Sequence, residues 1–238
     1  MLNILEKWDY RAPRDSIRAS IFNVWEYYYV RKLLRKVGLQ EQDWKAVIGN
    51  YKAEHFVFRK IFEWEKNPTD YKEYWCLNEQ NEKMEYPCLY NILKSFDETW
   101  DYLQKRIGPN ITEWKWGKIH HNHYPHTPFS QTPLKPLFHR SHPMIGNGRT
   151  VGNSVIRAEA DDLNGVVSSN LRMVVSMKPG DTSYAVIDTG VSGSIFSAHY
   201  DDIMKIYHQE KYLSIVEKSP TYWEDLLEVK YEKPHTKI

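Results

Sequence analysis

The apolar residues of this chain change their spacing near Asn110, and that change limits the folds open to it. Before that point, Ile17, Ile21, Val24, Trp25, Tyr28 and Leu33 recur mostly at three to five positions, which is the stripe of an amphipathic core helix. Pro13 suits a first helical turn and Gly38 a stop, so a helix is expected from Pro13 to Val37. A second helical pattern covers Glu54 to Glu65 and ends before Asn67-Pro68, and Asn67 to Pro87 is polar and loop-like. A third helix, Leu89 to Arg106, carries Leu93, Phe96, Trp100 and Leu103 and ends at Gly108-Pro109. Beyond Asn110, prolines and histidines crowd the stretch from Trp114 to Pro143, expected to be an irregular but structured connection. Strand-type runs follow at Ser154 to Ala158, Leu171 to Met177 and Tyr184 to Ile187. Lys178-Pro179-Gly180-Asp181 supplies turn residues between the last two, so these should be antiparallel neighbours in one sheet. Helix returns at His199 to Tyr212 and near Tyr222 to Val229. The expected class is α+β, with a helical subdomain over 1–112 and a sheet-and-helix portion over 113–238.

Charge argues against recruitment by a bulk field: Lys and Arg number 32 against 31 Asp and Glu, a formal net charge of +1. Nucleic acid is therefore not an expected partner. The basic stretch Arg31 to Lys36 is broken by Leu33 and Leu34 and is expected to be the wet edge of the first helix. Nine tryptophans and 14% aromatic residues supply material for a substantial core. No apolar run approaches the roughly 20 residues of a bilayer span, and Met1 to Tyr10 lacks a basic-then-apolar signal pattern. Met1 reads equally as a true start or a fragment edge, so a targeting signal could lie on another piece and the compartment stays open. Cys76 and Cys88 are too few for a disulfide framework or a four-thiolate metal site. Asn110-Ile111-Thr112 fits the N-glycosylation sequon, which matters if the chain is secreted.

Three short constellations invite a chemical reading. Asp188-Thr189-Gly190 looks like one aspartic-protease turn, but that mechanism needs two carboxylates sharing a proton, and a largely helical tail follows instead of strands. His120-His121-Asn122-His123-Tyr124-Pro125-His126 offers imidazoles to a metal at spacings that match no closed structural site; hydrogen-bonded packing is the preferred reading. Ser192, between Val191 and Gly193, lacks the Gly-x-Ser-x-Gly elbow, because position 194 is Ser.

Taken together, the motifs resemble something more specific. Trp116-Gly117-Lys118-Ile119-His120, then His126 to Phe129, then Gly146-Asn147-Gly148-Arg149-Thr150-Val151 are similar to the W-G-x-x-H, F-x-H-P and G-G-x-x-T-V succession of the penicillin amidase family of N-terminal-nucleophile hydrolases. Downstream, Ser169 to Val175 around Arg172, Asp188 to Gly193, and Ser197-Ala198-His199-Tyr200-Asp201-Asp202 are similar to that family's S-x-R-x-V-x-D strand, G-Q-S-G loop and S-P-H-Y-x-D helix start. Tyr212-Leu213 matches the aromatic ending after that helix, and Asp97 to Arg106 the helix before the W-G motif. The resemblance covers nearly the whole chain, most specifically Trp114 to Tyr212. Departures are Ser176 in place of Asp, Val191 in place of Gln, Ala198 in place of Pro, and the scrambled Thr127-Pro128-Phe129; these touch the substrate site more than the fold.

The resemblance implies the C-terminal part of the large subunit of an αββα sandwich hydrolase. In that family a Ser at the new N terminus of the large subunit is activated by its own amine, and a downstream Asn with backbone amides holds the oxyanion. The match begins after those elements, so no catalytic residue, and no ligand of the family's calcium, is carried onto this sequence; no metal or cofactor is expected in the chain itself. Trp116, Gly117, His120, Arg172, Gly190, Ser192, Gly193, His199, Tyr200 and Asp201 are expected to be structural or cleft-lining, with His199 and Asp201 beginning a helix. Two readings follow. The chain is one polypeptide of an amide hydrolase completed by an N-terminal piece carrying the nucleophile, or it is a catalytically inactive relative serving as a structural subunit of a larger assembly. Both require a protein partner.

Overall fold

The computed structural model describes residues 1–36, 40, 87–156, 162–178 and 181–215, in two compact units, 1–169 and 170–238. The helices expected at Glu54 to Glu65 and Tyr222 to Val229 lie outside the described residues, as does the end of the strand expected to reach Ala158. The elements mix helices with small sheets, an α+β chain.

In the first unit, a short helix α1 (Leu2–Leu5) precedes α2 (Ile17–Lys36) and α3 (Pro87–Arg106). Helix α2 begins at Ile17 rather than Pro13 because Ser16 caps it, its Oγ accepting from the Ala19 N–H at 3.0 Å. Pro13 instead sits in the preceding turn, where its carbonyl accepts from the Ser16 N–H. The core forms where α2 meets α3. Trp25 stacks on Tyr29 and on Phe96, each at 5.3 Å between ring centroids, and its indole N–H donates to the Ile92 carbonyl. Trp100 meets the buried Trp114 edge-on at 5.0 Å. Ring geometries of this kind add about 0.5–1.5 kcal/mol per pair beyond area burial.

Helix α2 is buried around most of its circumference, including Asn23, Glu26 and Arg31. The expected solvated edge from Arg31 to Lys36 is thereby corrected at its start. The Arg31 guanidinium lies 4.4 Å over the Tyr27 ring, and Lys32 pairs with Glu98 of α3 at 3.5 Å. Long basic side chains can bury their stems against aromatic surface while the charge finds a partner.

The stretch expected to be irregular holds two strands, β1 (His121–Tyr124) and β2 (Arg140–Pro143), joined through a short helix α4 (Lys135–Phe138). With β3 (Ser154–Ile156) and β4 (Gly165–Ser168) they form a sheet of order β2-β1-β4-β3. Strand β1 is antiparallel to β2, with His123 opposite Ser141, and parallel to β4. Strands of four residues rich in His and Pro carry too little alternation to be read from composition.

The second unit is a sheet of order β5-β6-β7 made of β5 (Leu171–Val174), β6 (Ser183–Ile187) and β7 (Leu213–Ile215), with one helix, α5 (Asp202–His208). Strands β5 and β6 pair antiparallel, Arg172 opposite Val186, as the turn residues between them predict. The helix expected from His199 to Tyr212 is shorter at both ends. Its start is displaced because the His199 carbonyl accepts from the Val191 and Ser192 N–H groups and is lost to the helix. Its end is set by Glu210 at φ 60, after which Leu213 to Ile215 join β6 as an edge strand.

Candidate functional site

Three of the motif residues meet in the first unit. Trp116 and His120 bracket one turn and stack at 4.4 Å between centroids with 15° between planes. The Trp116 indole N–H donates to the Gly146 carbonyl at 2.8 Å, and the Gly146 N–H donates to the Ala12 carbonyl at 2.8 Å. The Gly117 N–H donates to the Arg14 carbonyl at 2.7 Å, and a Cβ on Gly117 would sit 3.1 Å from both Arg14 and Pro143. His120 is fully buried, with Nδ1 at 2.6 Å from the Leu163 carbonyl, so the neutral ring donates from Nδ1. Burial lowers its pKa from 6.5 to about 4, since the charged ring would lose its hydration. The Trp-Gly-x-x-His motif is therefore a joint fastening the approach to α2, the Gly146 turn and the Leu163 segment.

The Gly146 to Thr150 turn is clamped to α2 by contacts that sequence patterning missed. The Asn147 amide donates to buried Asn23 at 2.7 Å, and Arg149 forms an ion pair with buried Glu26. The signal available in the sequence was a carboxylate and an amide within an otherwise aromatic helix, groups that need partners if the helix is buried. Gly146 at φ +69 allows the turn, and a Cβ there would lie 2.1 Å from the Thr150 hydroxyl. A similar close approach occurs at Gly165, whose place beside Asn122 and Ser154 leaves no room for a methyl group: the Ser154 hydroxyl donates to the Asn122 amide oxygen at 2.6 Å. In the same unit a cleft of about 590 Å³ is lined by Tyr28, Arg31 and Asp162, and by Glu98, Tyr102 and Lys105 of α3, with charges of both signs.

The histidine segment is divided among separate contacts. His123 Nδ1 lies 3.3 Å from His139 Nε2, His121 Nδ1 lies 3.2 Å from the Ser141 hydroxyl, and His126 packs against Phe129 and Phe138. Burial lowers the pKa values of His121 and His139. Among the described residues, no group of three or more His, Cys, Asp and Glu side chains is placed to hold a metal ion.

The other motif residues belong to the second unit. Arg172 of β5 lies 3.5 Å over the Tyr207 ring and donates to the Tyr207 carbonyl, tying α5 to the sheet. Burial, opposed by the Arg172 charge, pushes the Tyr207 phenol up. Asp188 is buried at the end of β6, its N–H donating to the Asn170 carbonyl. Gly190 passes under the chain at His199 and Tyr200, where a Cβ would lie 2.2 Å from the Tyr200 carbonyl oxygen. Gly193 meets nothing within 4 Å, so its freedom is not used for a close approach. The Ser192 hydroxyl accepts from the Ser194 N–H at 3.2 Å, while the His199 ring is held by Asp202 at 2.8 Å, so this histidine is engaged elsewhere than at the serine. Asp201 directly precedes α5 and pairs with Lys205 at 2.7 Å, one turn on, without a side-chain capping bond.

The described residues thus define an α+β protein in which Trp116, Gly117, His120, Arg172 and Gly190 tie backbone segments together. The penicillin amidase family model matches residues 1–221, and the chain belongs to that family of amidase-type hydrolases. No curated protein matches it.

Proposed function

We propose that this chain is one polypeptide of a penicillin-amidase-type hydrolase of non-peptide amides, completed by a separate N-terminal piece carrying the nucleophile. The two sheets are then parts of the family's αββα sandwich, and the helical portion helps to wall the substrate cleft. The observation that carries the proposal is the face of the β5-β6-β7 sheet turned away from Arg172 and Val186. Leu171, Met173, Leu213 and Ile215 share that face by register, and each is about half exposed. A contiguous apolar sheet face at this exposure calls for a covering surface. The amide-hydrolase part of the reading rests on family membership, and the need for an external nucleophile on the ties of Ser192 and His199. A terminal nucleophile needs its own amine within reach, and Ser192 is internal.

A second reading, a structural subunit of a larger assembly, is favoured by the joint-like use of Trp116, Gly117, His120, Arg172 and Gly190. One experiment separates the two. The chain is purified with whatever binds it, the partner's N-terminal residue is sequenced, and the complex is assayed with an acyl-amide reporter. A partner beginning with Ser, Thr or Cys and turnover that survives Ser192→Ala in this chain support the hydrolase. Turnover that disappears in Ser192→Ala with the fold intact overturns it, and a partner without such a residue and without turnover supports the structural reading.

A further inference from the structure

The sequon at Asn110 is absorbed by none of the roles above, and its geometry carries a reading of its own. Asn110, Ile111 and Thr112 form an exposed turn between the end of α3 and Trp114. Ile111 packs on the core and Trp114 is fully buried, its indole N–H donating to the Gly108 carbonyl at 2.8 Å; both anchor the turn at its base. Asn110 and Thr112 themselves are exposed. The Asn110 amide oxygen accepts twice from Thr112, from its N–H at 3.1 Å and its hydroxyl at 2.8 Å. Both bonds engage the oxygen and neither uses the amide nitrogen of this exposed residue. Beside it, a Cβ placed on Gly108 would meet nothing within 4 Å, so the surface there is open.

We propose that Asn110 is an N-glycosylation site of this protein, taking an oligosaccharide from a lipid-diphosphate donor. In the transfer, Asn110 Nδ2 forms a bond to the sugar anomeric carbon. The bond between that carbon and the diphosphate oxygen breaks, the lipid diphosphate leaves with the electron pair, and the amide proton passes to a base of the transferase. Hydrogen bonds from Thr112 to the amide oxygen stabilise the imidate form and so acidify the amide N–H, which eases proton transfer to that base. Both hydrogen bonds of the Asn110 side chain are made within three residues, as in an Asx turn. A bulky polar glycan at Asn110 also excludes this turn from any partner interface.

The test is peptide mapping by mass spectrometry of the full chain isolated from its native cells, beside variants expressed in the same cells. The wild-type peptide spanning Asn110 is expected to carry a glycan mass and to be recovered with Asp at that position after peptide N-glycosidase treatment. Thr112→Val and Asn110→Asp abolish the modification, while Thr112→Ser retains it; Asn110→Asp keeps the acceptor oxygens for the Thr112 bonds and so preserves the turn. An unmodified Asn110 in the native chain overturns the proposal, as does a modification that persists in Thr112→Val.

Discussion

His120 illustrates how a single residue in this fold is bound to its surroundings. Its ring is neutral, buried and stacked on Trp116, with a folded pKa of about 4 against an ordinary 6.5. Between those values the unfolded chain binds a proton that the folded chain refuses, so stability rises with pH through this window and is lost as pH falls through it. The full contribution is about 3 kcal/mol, at roughly 1.4 kcal/mol for each pH unit that separates the two values. Denaturant titrations from pH 7 to pH 4 are expected to show that loss in the wild-type chain and a flatter profile in His120→Phe; identical profiles would refute the assignment. His121 and His139, whose pKa values are also lowered by burial, act in the same direction and leave a residual slope. The glycines give a second contrast at this scale. Gly190→Ala places a methyl group 2.2 Å from the Tyr200 carbonyl and should cost about 1–3 kcal/mol as an overpacking change, whereas Gly193→Ala, with nothing within 4 Å, should be near neutral. Paired thermal melts of the two variants measure the difference, and equal melting temperatures would contradict it.

At the scale of elements, the contact between α2 and the Gly146 turn depends on polar groups within an aromatic setting. Glu26 has a side-chain exposure of 7% and Arg149 of 28%, so the pair is partly sheltered from water. Removing the cation from a buried pair typically costs about 3–5 kcal/mol, and the exposure of Arg149 together with the further contacts of Glu26 places this site at or below the lower end. Arg149→Ala should therefore lower the midpoint of denaturant unfolding clearly more than Glu26→Gln, which removes the charge but keeps the shape. A smaller effect for Arg149→Ala would mean that Glu26 is satisfied chiefly by other groups. The hairpin β5-β6 was legible because Lys178-Pro179-Gly180-Asp181 interrupts two strand-type runs, and the strands pair antiparallel as expected, although the first ends at Val174 rather than Met177. Strands β1 and β2 were not legible, because their stability comes from pairing with each other and with β4, a partner more than forty residues away in sequence from β1.

At the scale of the whole molecule, the proposed partner would cover the open face of the second sheet. Met173→Glu and Leu213→Glu place charges on either side of Ala185 on that face, where burial by a partner would desolvate them. The double variant is expected to keep the far-ultraviolet circular dichroism of the chain while losing co-purification of the partner. Retained binding with an intact fold would show that the partner sits elsewhere.

The class of the fold, the α3 helix, the β5-β6 hairpin and the family could all be read from the order of residues, because periodicity, turn chemistry and motif succession are local properties that survive without coordinates. The same reading singled out residues such as Trp116, Gly117, His120, Arg172 and Gly190. What those residues do was settled by the folded arrangement alone. That Trp116 reaches Gly146, that Glu26 answers Arg149, that the His199 carbonyl serves the Val191 and Ser192 amides and so shortens α5, and that Arg31 is buried are facts about groups brought together across the chain. Burial and hydrogen-bond partners depend on that proximity, and residue spacing alone does not encode it.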